Sequence, residues 1–159
     1  MQPHIRWMIR VDMPQVYNIE NQAFRNPWKQ EDFIRCLRCR NCIGMVAVDC
    51  AKDRLGVVVG YMIYELHKQR LHILNFAVDP KYQRSGIGSA MVAKLTSKLN
   101  IERRNRIMLE VRETNVAAQL FFKSQGFRAI SVLRDFYEDT SEDAYLMMYR
   151  VNELSEIGQ

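Results

Sequence analysis

Apolar residues recur along this chain at two spacings, and the switches between them mark the elements. Residues 5–9 are a short apolar stretch that reads as an edge strand. Asp12-Met13-Pro14 then has the form of a helix start, with Asp as N-cap and Pro in the first turn. Val16, Ile19, Ala23 and Phe24 share one face of the helix that follows, and Asn26-Pro27 breaks it. A second helix is expected over 30–40, with Phe33, Ile34 and Leu37 turned inward. Strands over 44–49 and 57–66 come next, joined by Asp53-Arg54-Leu55-Gly56 as a hairpin turn. Residues 71–78 read as a third strand, apolar on both faces towards its end and stopped by Asp79-Pro80. Over 86–99, Met91, Val92, Leu95 and Leu99 return to helical spacing. A short strand over 107–111 precedes a helix over 115–125, which carries Ala118, Leu120, Phe121 and Phe122 and is closed by Gly126 as its C-cap. The last strands, 127–133 and 144–151, flank an acidic connection at 138–143.

The predicted order is β-α-α-β-β-β-α-β-α-β-β: three antiparallel strands, a βαβ unit and a closing hairpin. That is an α/β fold with a mixed central sheet and helices on both faces. At 159 residues, 48% hydrophobic and 26% charged, the chain is expected to be one domain over residues 1–159 with an ordinary core.

Charge changes this picture little. The net charge is +5, but 23 cations and 18 anions are interspersed without a long run of one sign. A mildly basic surface suits a phosphate-bearing ligand or a ribosome, and no motif points to direct nucleic-acid binding. Residues 1–12 hold Arg6 and Arg10 and no continuous apolar stretch, so no secretory signal or membrane anchor is expected, and the protein is read as cytoplasmic. Cys36, Cys39 and Cys42 recur every third residue in the second predicted helix, followed by Cys50. With no His nearby to complete a finger, they read as core or half-buried thiols, and no metal is expected. His67 and His72 flank a turn between strands without a metal partner at ligand spacing, and are expected to face solvent.

The most informative segment joins the strand at 71–78 to the helix at 86–99. It runs Val78-Asp79-Pro80-Lys81-Tyr82-Gln83-Arg84-Ser85-Gly86-Ile87-Gly88. Gly86 and Gly88 remove side chains where backbone must approach a ligand. The first-turn N–H groups and the helix dipole then form a cradle for a pyrophosphate, with Arg84 on its rim. The third glycine and downstream acid of a dinucleotide fingerprint are missing, and so is the Gly-Lys-Ser/Thr of a Walker loop.

Gln83-Arg84-Ser85-Gly86-Ile87-Gly88 resembles the Gln/Arg-x-x-Gly-x-Gly/Ala signature of GNAT acetyltransferases. Asn75-Phe76-Ala77-Val78-Asp79-Pro80, Leu109-Glu110-Val111-Arg112, Asn115 and Gly126-Phe127 extend the likeness in the right order over nearly the whole chain. Within the family the chain most resembles the RimI-type enzymes, which acetylate the N-terminal alanine of a small-subunit ribosomal protein. The resemblance implies a GNAT fold, acetyl-CoA as co-substrate and a protein N-terminus as acceptor, with ribosome association possible. It implies that Phe76, Ala77 and Val78 pair through their backbone with the pantetheine arm as an added strand would, one N–H polarising the thioester carbonyl. Gln83, Arg84, Ser85, Gly86, Ile87 and Gly88 would hold the pyrophosphate, and Asn115 would contact the pantetheine or cap the next helix, or both.

The reaction needs an amine that has lost its proton, and an α-amino group with a pKa of about 7.7–8.0 requires only a modest base. Glu110, flanked by apolar residues, occupies the position of the RimI-type catalytic Glu; an exposed Glu paired with Lys or Arg is the plainer alternative. The family's general-acid Tyr falls on Phe122, which has no proton to give. Water or the nascent ammonium, another phenol such as Tyr137, or a chain that binds acetyl-CoA and turns over poorly are the alternatives. Phe122 would then pack against the cofactor. On the acceptor side, Trp28 in the break between the first helices and Tyr137 in Arg134-Asp135-Phe136-Tyr137 match loops that flank the peptide entrance. Tyr137 would hold peptide backbone, and the acidic residues after it could attract a basic tail. Two rivals stay open on the same scaffold: an acetyltransferase for a small-molecule or lysine amine, and a non-catalytic acetyl-CoA-binding module.

Overall fold

A computed structural model describes residues 2–50 and 56–151. Its elements are β1 (His4–Trp7), α1 (Met13–Ala23), α2 (Gln30–Leu37), β2 (Cys42–Asp49), β3 (Val57–Leu66), β4 (Arg70–Val78), α3 (Ile87–Thr96), β5 (Arg106–Arg112), α4 (Val116–Ser124), β6 (Arg128–Leu133) and β7 (Ala144–Arg150), with two short 3-10 turns at Arg10–Asp12 and Pro80–Tyr82. The seven strands hydrogen-bond in the order β1-β2-β3-β4-β5-β7-β6. The pairing is mixed: β1–β2, β2–β3, β5–β7 and β6–β7 are antiparallel, and β4–β5 is parallel. The element order is the one the periodicities predict. The chain divides into two compact units. One takes the residues up to Leu66 with Leu74–Leu95, the other His67–Ile73 with the residues from Thr96 on.

In the first unit, α1 and α2 bury Val16, Ile19 and Phe33 with Val46, Val48, Val58, Tyr61, Ile63 and Ala77. Rings meet edge to face at its centre, Tyr17, Trp28 and Tyr61 all around Phe33 at centroid distances of 5.4, 5.2 and 6.0 Å. Helix α3 lies close to the sheet because Gly60 has no side chain. A Cβ there would sit 3.1 Å from Met91 Sδ and 3.2 Å from the Ala77 carbonyl oxygen. In the second unit Leu71, Ile107, Leu109, Val111, Phe122, Phe127 and Met147 are buried. Phe121, Phe122, Phe127 and Tyr149 form a run of ring contacts, with centroids 5.1–5.5 Å apart.

Four local expectations change. Helix α2 stops at Leu37, three residues short, because Arg38-Cys39-Arg40-Asn41 offers no apolar side chain to bury. Cys39 therefore lies in a turn and Cys42 opens β2, so the cysteines do not share a helix. Burial pushes the Cys36 thiol up and the Cys42 thiol up to about 12, so both behave as apolar groups. Ile34 is 43% exposed rather than inward. Strand β4 alternates in burial, with Leu71, Ile73, Asn75 and Ala77 buried and the apolar Leu74, Phe76 and Val78 half-buried on the other face. Asp12 stands at the N-terminus of α1 but does not cap it with its side chain. Its carboxylate accepts from the Ile9 N–H at 2.8 Å and from the Arg6 guanidinium at 2.8 and 2.9 Å. Burial works to raise the Asp12 pKa, but these bonds outweigh it and hold the group below the usual carboxylate range. The turn expected at 53–56 lies, but for Gly56, outside the described residues.

Candidate active site

In the first unit the segment after β4 is an ordered loop. Asp79 accepts from the Lys81 N–H at 3.0 Å and starts the 3-10 turn. The Ser85 hydroxyl donates to the Tyr82 carbonyl, and Gln83 Nε2 reaches towards the Val78 carbonyl at 3.5 Å. Arg84 (φ 64°) and Gly86 (φ 86°) are both left-handed. A Cβ at Gly86 would meet no protein atom within 4 Å, and the left-handed backbone there is one that glycine adopts without strain. Left-handed residues just before a helix are the backbone conformation from which anion nests are built. Gln83, Arg84, Ser85 and Gly86 are exposed and Gly88 half-buried at the start of α3, while Ile87 is buried and anchors the helix.

Behind this loop lies a carboxylate that the sequence reading passed over. Glu20 on α1 is 2% exposed and is surrounded by neutral donors. It accepts from the Tyr61 hydroxyl, from Asn75 Nδ2 at 2.6 Å and from the Trp28 N–H at 2.8 Å. Asn75 Oδ1 in turn accepts from the Phe76 N–H at 2.9 Å. Burial first, and the Glu20 carboxylate second, push the Tyr61 phenol well above its ordinary pKa. One side chain thus ties the break between α1 and α2, where Trp28 sits, to the segment of β4 that holds Phe76, Ala77 and Val78. The signal was present: Glu20 lies four residues after Val16 and next to Ile19, within the apolar face of α1.

In the second unit the β4–β5 ladder consists of Arg70, Leu71 and His72 against Arg106, Ile107 and Met108. Met108, Glu110 and Arg112 are the half-buried set of β5, on the face opposite Ile107, Leu109 and Val111. His72 is on the same side of the sheet, and its Nε2 lies 2.7 Å from Glu110 Oε2, with 15% and 21% of the two side chains exposed. Glu110 is therefore paired, but with a histidine rather than Lys or Arg, and His72 does not face solvent as expected.

Two residues further along β5, Arg112 organises the β6–β7 connection. Its guanidinium lies 3.8 Å over the Tyr137 ring and bonds Asp139, Thr140 and Glu142 at 2.9–3.4 Å. Burial raises the Tyr137 phenol to about 12; Arg112 opposes the shift, and the charges of Glu110, Glu142 and Asp139 add to it. Glu142 also accepts from the Thr114 hydroxyl, and Asp143 from the Asp135 N–H at 2.9 Å. Asp139, Glu142 and Asp143 thus bond within the loop, while Glu138 and Asp139 are exposed. Phe136 meets Tyr137 edge to face, centroids 4.9 Å apart. Asn115 caps α4, accepting from the Ala118 N–H at 3.1 Å. Phe122 is 4% exposed, its ring edge-on to Phe127.

The mixed seven-stranded sheet, with its left-handed turn between β4 and α3, has the architecture of the acyl-CoA N-acyltransferase fold. The chain belongs to the Acetyltransferase (GNAT) family, whose family model matches residues 13–127. It is thus an acetyl-CoA-dependent N-acetyltransferase that uses acetyl-CoA as co-substrate. It is 30% identical over 138 residues to the [ribosomal protein bS18]-alanine N-acetyltransferase of Escherichia coli strain K12, covering 86% of this chain and 89% of that one. It is 31% identical over 150 residues to an N-alpha-acetyltransferase of Sulfurisphaera tokodaii, covering 86% of each. Among solved structures, Ard1 from Thermoplasma volcanium superimposes with a TM-score of 0.83 at 29% identity, over 96% of this chain and all of that one.

Proposed function

We propose that this chain acetylates protein N-terminal α-amino groups, with the N-terminal alanine of a small-subunit ribosomal protein as preferred acceptor. On this reading it works in the cytoplasm, beside ribosomes, as one catalytic domain. The observation that carries the reading is Glu110, a half-buried carboxylate on an interior strand, in a chain whose relatives include two named for N-terminal acetylation.

Each residue then has a task. Gln83 to Gly88 receive the pyrophosphate on the N–H groups of the nest and the first turn of α3, with Arg84 adding a cation. The backbone of Phe76, Ala77 and Val78 pairs with the pantetheine arm, and an N–H there polarises the thioester carbonyl. Asn115 keeps Oδ1 on its helix cap and offers Nδ2 to the arm. Phe122 packs beside it. Glu110 takes a proton from the incoming ammonium, directly or through one water. The amine nitrogen then bonds to the acetyl carbon, the carbon–sulfur bond breaks, and the thiolate takes a proton from water or from the nascent ammonium. A phenol held at about 12 keeps its proton at neutral pH and gives it up reluctantly. Tyr137 therefore serves better as a neutral donor to the peptide backbone than as the acid at sulfur. Trp28 walls the first side chain of the acceptor.

The test is CoA release from acetyl-CoA with an alanine-starting peptide. Glu110→Gln is expected to lower kcat by about 10²–10⁴-fold while acetyl-CoA affinity holds. Turnover on polyamines, aminoglycosides or lysine side chains in place of the peptide would move the acceptor to the small-molecule or lysine class. Tight acetyl-CoA binding without turnover on any amine would make the chain a binding module.

A further inference from the structure

Glu110 is held by a partner that no motif announces. His72 is fixed by the parallel ladder, where it stands opposite Met108. Glu110 is fixed by the β5–β7 ladder, opposite Leu146. Both side chains leave the same face of the sheet, so their 2.7 Å contact is set by strand register rather than by loops. The turn before β4 is itself anchored: the His67 N–H donates to the Arg70 carbonyl at 2.9 Å, and Arg104 Nε donates to the His67 carbonyl at 2.7 Å. The His67 and His72 rings stand edge to face, with centroids 6.3 Å apart.

An ionised carboxylate has lone pairs and no hydrogen, so the ring nitrogen facing it must carry one. His72 Nε2–H donates to Oε2. That bond occupies one of the two carboxylate oxygens and fixes the plane of the group, which leaves Oε1 as the oxygen available to accept a proton. A base that must meet an ammonium in one orientation loses rate steeply when it turns away, because misplacement by about 1 Å can cost 10²-fold.

We propose that His72 is a positioning residue for the base: it clamps Glu110 Oε2 so that Oε1 is presented to the acceptor ammonium or its bridging water. The proposal rests on Glu110 being the base. No bond to His72 changes during the reaction. The proton leaves the ammonium nitrogen and ends on Oε1, while the imidazole keeps its own hydrogen.

Four variants test it by steady-state kinetics with acetyl-CoA and an alanine-starting peptide: His72→Leu, His72→Gln, Glu110→Gln and His72→Leu combined with Glu110→Gln. His72→Leu is expected to lower kcat by about 10- to 100-fold, with KM for acetyl-CoA changed by less than about twofold. His72→Gln, whose amide N–H can reach the same oxygen, should recover at least about fivefold of that loss. In the Glu110→Gln background, His72→Leu should change kcat by less than about twofold, because residues acting as one unit are not additive. A His72→Leu kcat equal to wild type, beside an impaired Glu110→Gln, overturns the positioning role and leaves the base acting alone. Two losses that multiply in the double variant overturn it as well. A Glu110→Gln enzyme with wild-type kcat fails the base assignment itself, whatever His72 does. If His72→Leu does not fold, as read by thermal melting, the amide pair decides: His72→Gln must stay within about tenfold of wild type, and His72→Asn, too short to reach Oε2, must not.

Discussion

At the scale of single residues, Glu20 shows how a buried carboxylate can be satisfied without a cation. Its acceptors take the Tyr61 hydroxyl, the Asn75 amide and the Trp28 N–H. Truncation to alanine would leave all three donors unpaired in a buried site, at about 1–3 kcal/mol each. Glu20→Ala is therefore expected to lower unfolding free energy by about 4 kcal/mol, and Glu20→Gln, which keeps one acceptor oxygen, by about 1–2 kcal/mol, measured by urea denaturation. Equal losses in the two variants would show that the donors find other partners. Sequence patterning hid this residue because a polar side chain inside an apolar face is usually read as a flaw in the pattern. The same holds for His72: beside a turn it reads as a solvent-facing residue, and only the β4–β5 register sets it beside Glu110.

At the scale of elements, the turn between β4 and α3 was the most legible part of the chain. Its glycines, its strand before and its amphipathic helix after each carry a local signal, and the backbone at Arg84 and Gly86 takes the left-handed form such a turn needs. What could not be read was how close α3 lies to the sheet, because that depends on Gly60, far away in sequence on β3. A methyl group at Gly60 would press on Met91 Sδ, which can move, and on the Ala77 carbonyl, which cannot move without disturbing β4. Gly60→Ala is expected to cost about 1–3 kcal/mol of stability and to weaken acetyl-CoA binding, since the strand and helix it displaces flank the nest. Calorimetric titration with acetyl-CoA checks this, and unchanged affinity would separate the packing of α3 from the cofactor site. The helix expected over 30–40 forms but ends early, at Leu37, the last of the apolar residues that marked it.

At the scale of the whole molecule, burial pushes up the phenols of Tyr61 and Tyr64 in the first unit and of Tyr137, to about 12, in the second. A free tyrosine in the unfolded chain titrates near 10. For a group whose folded pKa is raised, the stabilising contribution is complete below the unfolded value and disappears as pH rises through the folded one. Melting temperature should therefore hold to about pH 10 and fall between about pH 10 and 12. Thermal melts across that range test this, and Tyr137→Phe should remove part of the slope. A flat profile would mean that none of the three phenols is kept protonated by the fold. Near its sequence pI of about 9.1 the chain carries little net charge, so overall repulsion does not produce the decline at its onset.

The clamp that Arg112 makes on the β6–β7 connection has a thermodynamic side. Fixing the backbone of one residue costs roughly 1–2 kcal/mol of conformational entropy. Here that ordering is met when the protein folds, by one guanidinium stacked on Tyr137 and bonded to Asp139, Thr140 and Glu142. On the proposed reading, an acceptor that meets Tyr137 finds it already in place, so little of its binding free energy is spent on ordering the loop. Rigidity of this kind trades breadth for discrimination: a preformed wall rewards the side chain that fits it and cannot reshape itself around one that does not.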